Sequence, residues 1–218
     1  MQKIDTSAFI PFPVHPTSAV ISFEGIDGSG KTTQISLLKN YLESLGKSVH
    51  ILREPGASSL GESIRSLILN SKKSIDPLSE MFLFLASRNE NIISNILPMC
   101  KTSDTIIILD RFIDSTLAYQ ANDILLMETI LKAHSLPPLN HVPNITFYLD
   151  FSSEKSYARR LARNEAPDYF ESKAHSFLAL VRKNYLYLTS LFPNRIKLID
   201  ADDTIDSIHQ KIINSIHL

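Results

Sequence analysis

The chain has 218 residues, 44% of them hydrophobic and 21% charged, with a formal net charge of −1 and a single cysteine. These proportions are those of a globular protein and exclude a disordered chain, a collagen-like repeat and a coiled coil. A lone Cys100 excludes an intramolecular disulfide or a cysteine-rich zinc module and fits a reducing, cytoplasmic setting, while a charge near zero offers no global field for nucleic acid, so any phosphate recognition must be local.

The length predicts one domain. Residues 1–18 carry Pro11, Pro13 and Pro16 and read as an irregular N-terminal arm ahead of a single domain at 19–218. No stretch offers a signal-peptide core or the ~20 apolar residues that span a bilayer, so no membrane partner is expected. Apolar, β-rich runs at Ala19–Phe23, Ser48–Leu52, Thr105–Leu109, Ile145–Leu149 and Ile196–Ile199 predict strands. Segments of helical period lie between and after them, at Lys31–Leu45, Ser59–Asn70, Pro77–Met99, Ile124–His134, Glu154–Arg163, Ser172–Leu191 and Thr204–Ile216. This alternation predicts an α/β fold of right-handed βαβ units, with a five-stranded parallel sheet and helices on both faces. Glu24, Arg53, Asp110, Asp150 and Asp200 follow the apolar runs, at the carboxyl ends where ligands of such sheets bind.

The first strand runs into Gly25-Ile26-Asp27-Gly28-Ser29-Gly30-Lys31-Thr32, followed by Thr33. This is G-x-x-x-x-G-K-[ST], the phosphate loop. Its glycines let the backbone approach a phosphate, successive N–H groups form an anion nest, and the next helix adds its positive end. Lys31 is expected at the β- and γ-phosphates of ATP or GTP, and Thr32 at Mg²⁺. Asp27 reads either as further help to Mg²⁺ or as a solvated loop residue.

Arg53-Glu54-Pro55-Gly56 follows the second strand, and Arg65 lies on the next helix. Phe84 and Arg88 sit four residues apart on one helix face, an aromatic plane beside a guanidinium. Asp110 ends a hydrophobic strand as a metal-supporting acid does, and Arg111 follows it. Taken singly, Arg65 and Arg88 also fit surface arginines, Phe84 fits plain core and Asp110 fits a helix cap. Together, the arginines and the aromatic suit a second phosphate-bearing ligand opposite the nucleotide.

From Val20 to Ile216 the chain resembles thymidylate (dTMP) kinases. The resemblance rests on Phe23 to Thr33, Arg53-Glu54-Pro55-Gly56, Leu83-Phe84-Leu85-Ala86-Ser87-Arg88, and the run Asp110-Arg111-Phe112-Ile113-Asp114-Ser115-Thr116-Leu117-Ala118-Tyr119-Gln120. It implies a P-loop NTPase fold with a short lid, ATP as phosphate donor, Mg²⁺, dTMP as acceptor and a homodimer. It further implies that Arg65 and Arg111 hold the dTMP phosphate, Phe84 stacks on thymine and Arg88 bonds a thymine carbonyl. Thr116 and Gln120 would read the base edge, Tyr119 would disfavour a 2′-hydroxyl, and Ser115 and Asp27 would lie against dTMP. Glu54 and Asp110 would support the arginines or the metal.

The lid is expected at about 155–173. It holds Arg159, Arg160 and Arg163, and resembles the bacterial type, in which the lid supplies the catalytic arginine. Arg159 and Arg163 share a helix face and are the candidates. Asp168-Tyr169-Phe170-Glu171 departs from the Asp-Arg-hydrophobic-Glu of many relatives, and Ala121-Asn122-Asp123 replaces a longer glycine-rich stretch. The rival readings are another nucleotide or deoxynucleoside kinase on this fold and, from a different class, a P-loop regulatory ATPase.

Overall fold

The computed structural model describes residues 6–161, 169 and 175–216. It begins with a two-residue strand β1 (Ile10–Pro11), then β2 (Ala19–Glu24), α1 (Lys31–Ser44), β3 (Ser48–Arg53) and α2 (Ser59–Leu69). Next come α3 (Pro77–Asn91), a π-helical turn at Ile92–Ile96, α4 (Leu97–Met99), β4 (Thr105–Asp110), α5 (Ile113–Gln120) and α6 (Ile124–His134). The remainder is β5 (His141–Val142), β6 (Ile145–Asp150), α7 (Ser153–Leu161), α8 (His175–Leu191), β7 (Ile196–Asp200) and α9 (Ile205–Asn214).

Five strands pair in parallel in the order β3-β4-β2-β6-β7, the expected doubly covered α/β sheet. All six residues of the central β2 are buried, which is why its sequence is nearly continuous in apolar residues. Edge strand β3 mixes exposed and half-buried positions. Helix α1 packs on β3, β4 and α9, whereas α5 packs among α3, α6 and α8. Side-chain caps start four helices: Ser58 accepts from Gly61 N–H, Asp76 from Leu78, Asp123 from Leu126 and Thr204 from Ser207.

Three elements differ from the sequence reading. The predicted helix Pro77–Met99 is interrupted by the π turn, where Leu97 N–H reaches back to the Ile92 carbonyl. Pro98 follows at once; it has no N–H to give and its ring crowds the carbonyl four residues back, so the register widens ahead of it. Helix α5 was not expected. Seven of its eight residues are buried, so it lacks the one-sided apolar stripe that marks a helix in sequence. The N-terminal arm, expected to be irregular, is pinned along 6–18. β1 pairs in parallel with β5, and Phe12 N–H donates to the Val142 carbonyl at 3.0 Å. The Phe12 ring is 2% exposed, stacked on His141 and tilted against Phe112.

Phe12 is therefore core. Phe12→Ala is expected to lower unfolding stability by about 3 kcal/mol or more in urea titrations; an unchanged midpoint would show that the arm contributes nothing.

Candidate active site

The chemistry gathers where β2, β3 and β4 end. Gly25 turns the chain out of β2 at φ +143°, and a Cβ there would stand 2.7 Å from the Leu149 carbonyl oxygen. The loop closes into α1, and Ser29 N–H donates to the Ile26 carbonyl. Lys31 is 7% exposed; its Nζ donates to the carbonyls of Gly25 at 2.9 Å and Ile26 at 3.2 Å, with Asp27 Oδ1 3.9 Å away. Burial brings its ammonium down to about 8, with the Arg111 guanidinium adding to the effect.

Asp110 closes β4. Its Oδ1 is buried and makes no hydrogen bond, an arrangement that suits a cation rather than a donor. Arg111 follows at φ 71°, a left-handed backbone that costs a non-glycine residue roughly 1–3 kcal/mol. Its own N–H holds it there by donating to the Phe23 carbonyl at 3.0 Å. The guanidinium donates to Asp27 Oδ1 at 2.6 Å and Ser115 Oγ at 3.3 Å and lies over the Tyr119 ring, 5.0 Å from its centroid. Asp27, open in sequence between help to the metal and a solvated loop residue and also expected against dTMP, thus faces the arginine expected at the acceptor phosphate.

On the far wall, Arg88 is 1% exposed. Its Nε donates to Glu54 Oε2 at 2.8 Å and its Nη2 to Thr116 Oγ1 at 3.1 Å, and its Nη1 lies 2.6 Å from His134 Nε2. Asn91 donates to the other Glu54 oxygen. Burial outweighs these donors and holds the Glu54 carboxyl above its usual range. Gln120 Nε2 donates to Glu80 Oε2, Arg65 to the Pro55 carbonyl, and half-buried Phe84 packs with Ile64, Ile68 and Tyr169. Glu54, Thr116 and Gln120 are thus committed to neighbouring side chains at this wall, and Glu54 acts on the cleft through Arg88.

Helix α7 reaches the phosphate loop. Ser156 Oγ donates to the Asp27 carbonyl at 2.6 Å, and Arg159 Nη1 to the Gly28 carbonyl at 2.8 Å, its guanidinium 4.1 Å from the centroid of Phe151. Arg163 lies outside the described residues. Tyr169 is buried against α2 and α3, its hydroxyl accepting from Ile75 N–H at 2.9 Å.

Many of these groups line a cleft of about 580 Å³. Gly28, Gly30, Lys31, Thr32, Thr33 and Arg159 face it from one side, Arg65, Phe84, Arg88, Thr116 and Gln120 from the other, with Asp27, Asp110, Arg111, Ser115 and Tyr119 also in its wall. Glu24, Asn91, His134 and Tyr185 join the residues expected from the sequence. Glu24 is fully buried; it accepts from Phe112 N–H at 2.7 Å, Ser115 Oγ at 2.5 Å and Tyr185 Oη at 2.9 Å. Its place after the first strand was visible; its partners, up to 161 residues away, carry no local signal.

A family profile described as thymidylate kinase matches residues 23–212. A thymidylate kinase of Chlorobaculum tepidum is 39% identical over 206 residues, covering 90% of this chain and 96% of that protein. One of Thermoanaerobacter sp. strain X514 is 37% identical over 195 residues, covering 89% and 95%. The crystal structure of a thymidylate kinase from Ehrlichia chaffeensis superposes with a TM-score of 0.67 at 33% identity, over 91% of this chain and 98% of that one.

Burial first, then the nearby Asp114 charge, lifts the Glu24 carboxyl from an ordinary 4.5 to about 7. Between those values the folded chain keeps a proton that the unfolded chain has lost. The stabilisation from Glu24 is thus complete below about pH 4.5 and fades as pH climbs through about 7. Glu24→Gln should flatten that decline in urea midpoints measured across the window; parallel profiles would contradict the assignment.

Proposed function

The chain belongs to the thymidylate kinase family and is an ATP-dependent kinase that converts dTMP to dTDP; we propose that the cleft described above seats both substrates for direct transfer. The observation that carries this is that the phosphate loop and the Phe84–Arg88 wall line the same cavity. ATP places its phosphates in the N–H nest of Gly28 to Thr32. Lys31 exchanges the Gly25 and Ile26 carbonyls for the β- and γ-phosphates. Arg111 and Arg65 take the acceptor phosphate, a task that guanidinium forks suit. Phe84 stacks on the thymine, and Arg88 offers N–H groups to a base carbonyl, with Thr116 and Gln120 beside it. Tyr119 stands against the sugar.

A dTMP phosphate oxygen then attacks the γ-phosphorus in line, that P–O bond forming as the bond to the ADP oxygen breaks, with no covalent enzyme intermediate. Lys31 and Arg159 take up the negative charge that develops on the transferring group. Arg159 is the supported lid arginine because its guanidinium already sits on the phosphate loop. Closure of the lid keeps water from accepting the phosphoryl group. The orphaned Asp110 Oδ1 and the Thr32 hydroxyl, both in the cleft, fit Mg²⁺ and would hold it; when bound, the ion neutralises phosphate charge.

We also infer a homodimer in the cytoplasm. Leu78 and Phe82 on α3 are 42% and 58% exposed, and Ile124 and Leu125 on α6 are 52% and 71% exposed. Two apolar helix faces suit a second copy, and the single thiol fits a reducing compartment. No helix among the described residues is long and apolar enough to cross a membrane.

In a coupled ADP-release assay with Mg-ATP, dTMP should turn over well, and dGMP, CMP and thymidine poorly. Arg111→Ala should raise the KM for dTMP about tenfold or more while that for ATP moves by no more than about threefold. Equal losses for both substrates would place Arg111 in the wrong subsite, and turnover with thymidine would favour a nucleoside kinase. Sedimentation should give the mass of two chains, and Phe82→Glu should shift it to one; a monomeric parent protein would refute the dimer.

A further inference from the structure

The third partner of Arg88 is a histidine that the reading above leaves without a task. His134 ends α6 and exposes no surface. Its Nδ1 lies 2.8 Å from the Ile130 carbonyl oxygen, which can only accept, so Nδ1 carries a proton. Its Nε2 lies 2.6 Å from Arg88 Nη1, which can only donate, so Nε2 presents a lone pair. One tautomer satisfies both contacts, and it is neutral. Burial, then the Arg88 charge, pushes the imidazole down to about 3, so no proton competes for Nε2 at physiological pH.

A guanidinium has five N–H donors. In Arg88 the Nε–H is taken by Glu54, one Nη1–H by His134 and one Nη2–H by Thr116. One N–H remains on each Nη. Arg88, Glu54 and Thr116 line the cleft, but His134 does not; it grips the arginine from behind the wall. Glu54 at Nε and Thr116 at Nη2 hold two corners of the fork, and the Thr116 contact is the longest of the three. The acceptor at Nη1 holds the third corner and fixes the plane of the guanidinium against the wall.

We propose that His134 is a positioning residue for acceptor-base recognition: its Nε2 lone pair fixes the Arg88 guanidinium so that the remaining N–H donors face a pyrimidine carbonyl, which favours a 4-keto base over a 4-amino one. This rests on the assignment of Arg88 to the base. A 4-amino group would set donor against donor, which a buried site penalises strongly.

The test is steady-state kinetics on the full chain with dTMP and dCMP as acceptors. His134→Leu removes the acceptor and keeps apolar volume. It should raise the KM for dTMP about tenfold, lower the preference for dTMP over dCMP by a similar factor, and leave kcat and the KM for ATP within about twofold. His134→Gln, whose amide oxygen can accept from Arg88, should regain most of both. Arg88→Ala separates the layers. If it leaves the KM for dTMP unmoved, the base assignment falls; if it raises that KM and folded His134→Leu does not, only the proposal falls. Should His134→Leu fail to fold, a folded His134→Gln with the Arg88→Ala phenotype overturns the proposal, and a near-parental one supports it. Nitrogen-15 spectra should show a neutral Nδ1–H imidazole from about pH 8 down to about pH 5; an imidazolium or the Nε2–H tautomer in that range would refute it.

Discussion

Glu24 is a fully buried carboxyl group at the last position of the central strand. Buried, it needs donors, and the three it finds come from the chain after β4 and from α8. Meeting that need draws the start of α5 and the middle of α8 onto the end of β2. Ser115, one of those donors, in turn accepts from Arg111. The phosphate loop leaves β2 one residue later and Asp110 ends the neighbouring strand in register with Phe23. One desolvated group thereby sets the distance between the loop that takes the donor phosphates and the arginine assigned to the acceptor phosphate.

The legible features were those whose cause is local. A sheet covered on both faces requires apolar runs, so all five strands stood within about one residue of where they lie. A phosphate nest requires glycines and a lysine at fixed spacing, so Gly25 to Thr32 could be placed on a strand-to-helix turn before any coordinates. Asp76 and Asp123, by contrast, set helix starts through side-chain caps, yet α5 between them showed nothing because it is buried almost all round. The pinning of the arm carries no local signal, because Phe9 and Phe12 become meaningful only once Phe192, His141 and Phe112 are near. Asn91 and His134 were invisible for the same reason: each matters through a buried partner tens of residues away.

Tyr169 stands in the lid where the resemblance to thymidylate kinases implies an arginine, and its surroundings explain how tyrosine is accommodated there. An arginine would place a charge among Ile64, Ile68 and Ile75; tyrosine buries its ring there and keeps its hydroxyl on the Ile75 amide. Phe84, assigned to the thymine, packs on the same small cluster. Tyr169 of the lid and the base platform therefore share one patch of apolar surface separate from the main core, and the lid arginine that reaches the phosphate loop is Arg159.

The pairing of the cleft's cations has a thermodynamic consequence. Lys31 holds two loop carbonyls, Arg53 holds Glu62, Arg65 the Pro55 carbonyl, Arg88 Glu54, Arg111 Asp27, and Arg159 the Gly28 carbonyl. An incoming anion does not fall into a bare positive well; it enters by exchange, displacing oxygens that already neutralise or solvate each charge. A single small ion such as chloride or orthophosphate can replace one of these contacts at a time and gains little by doing so. A polyphosphate and a nucleoside phosphate that arrive in register replace several together. The cleft thus acts as an ion exchanger with a high threshold, selecting valence and shape before it reads a base.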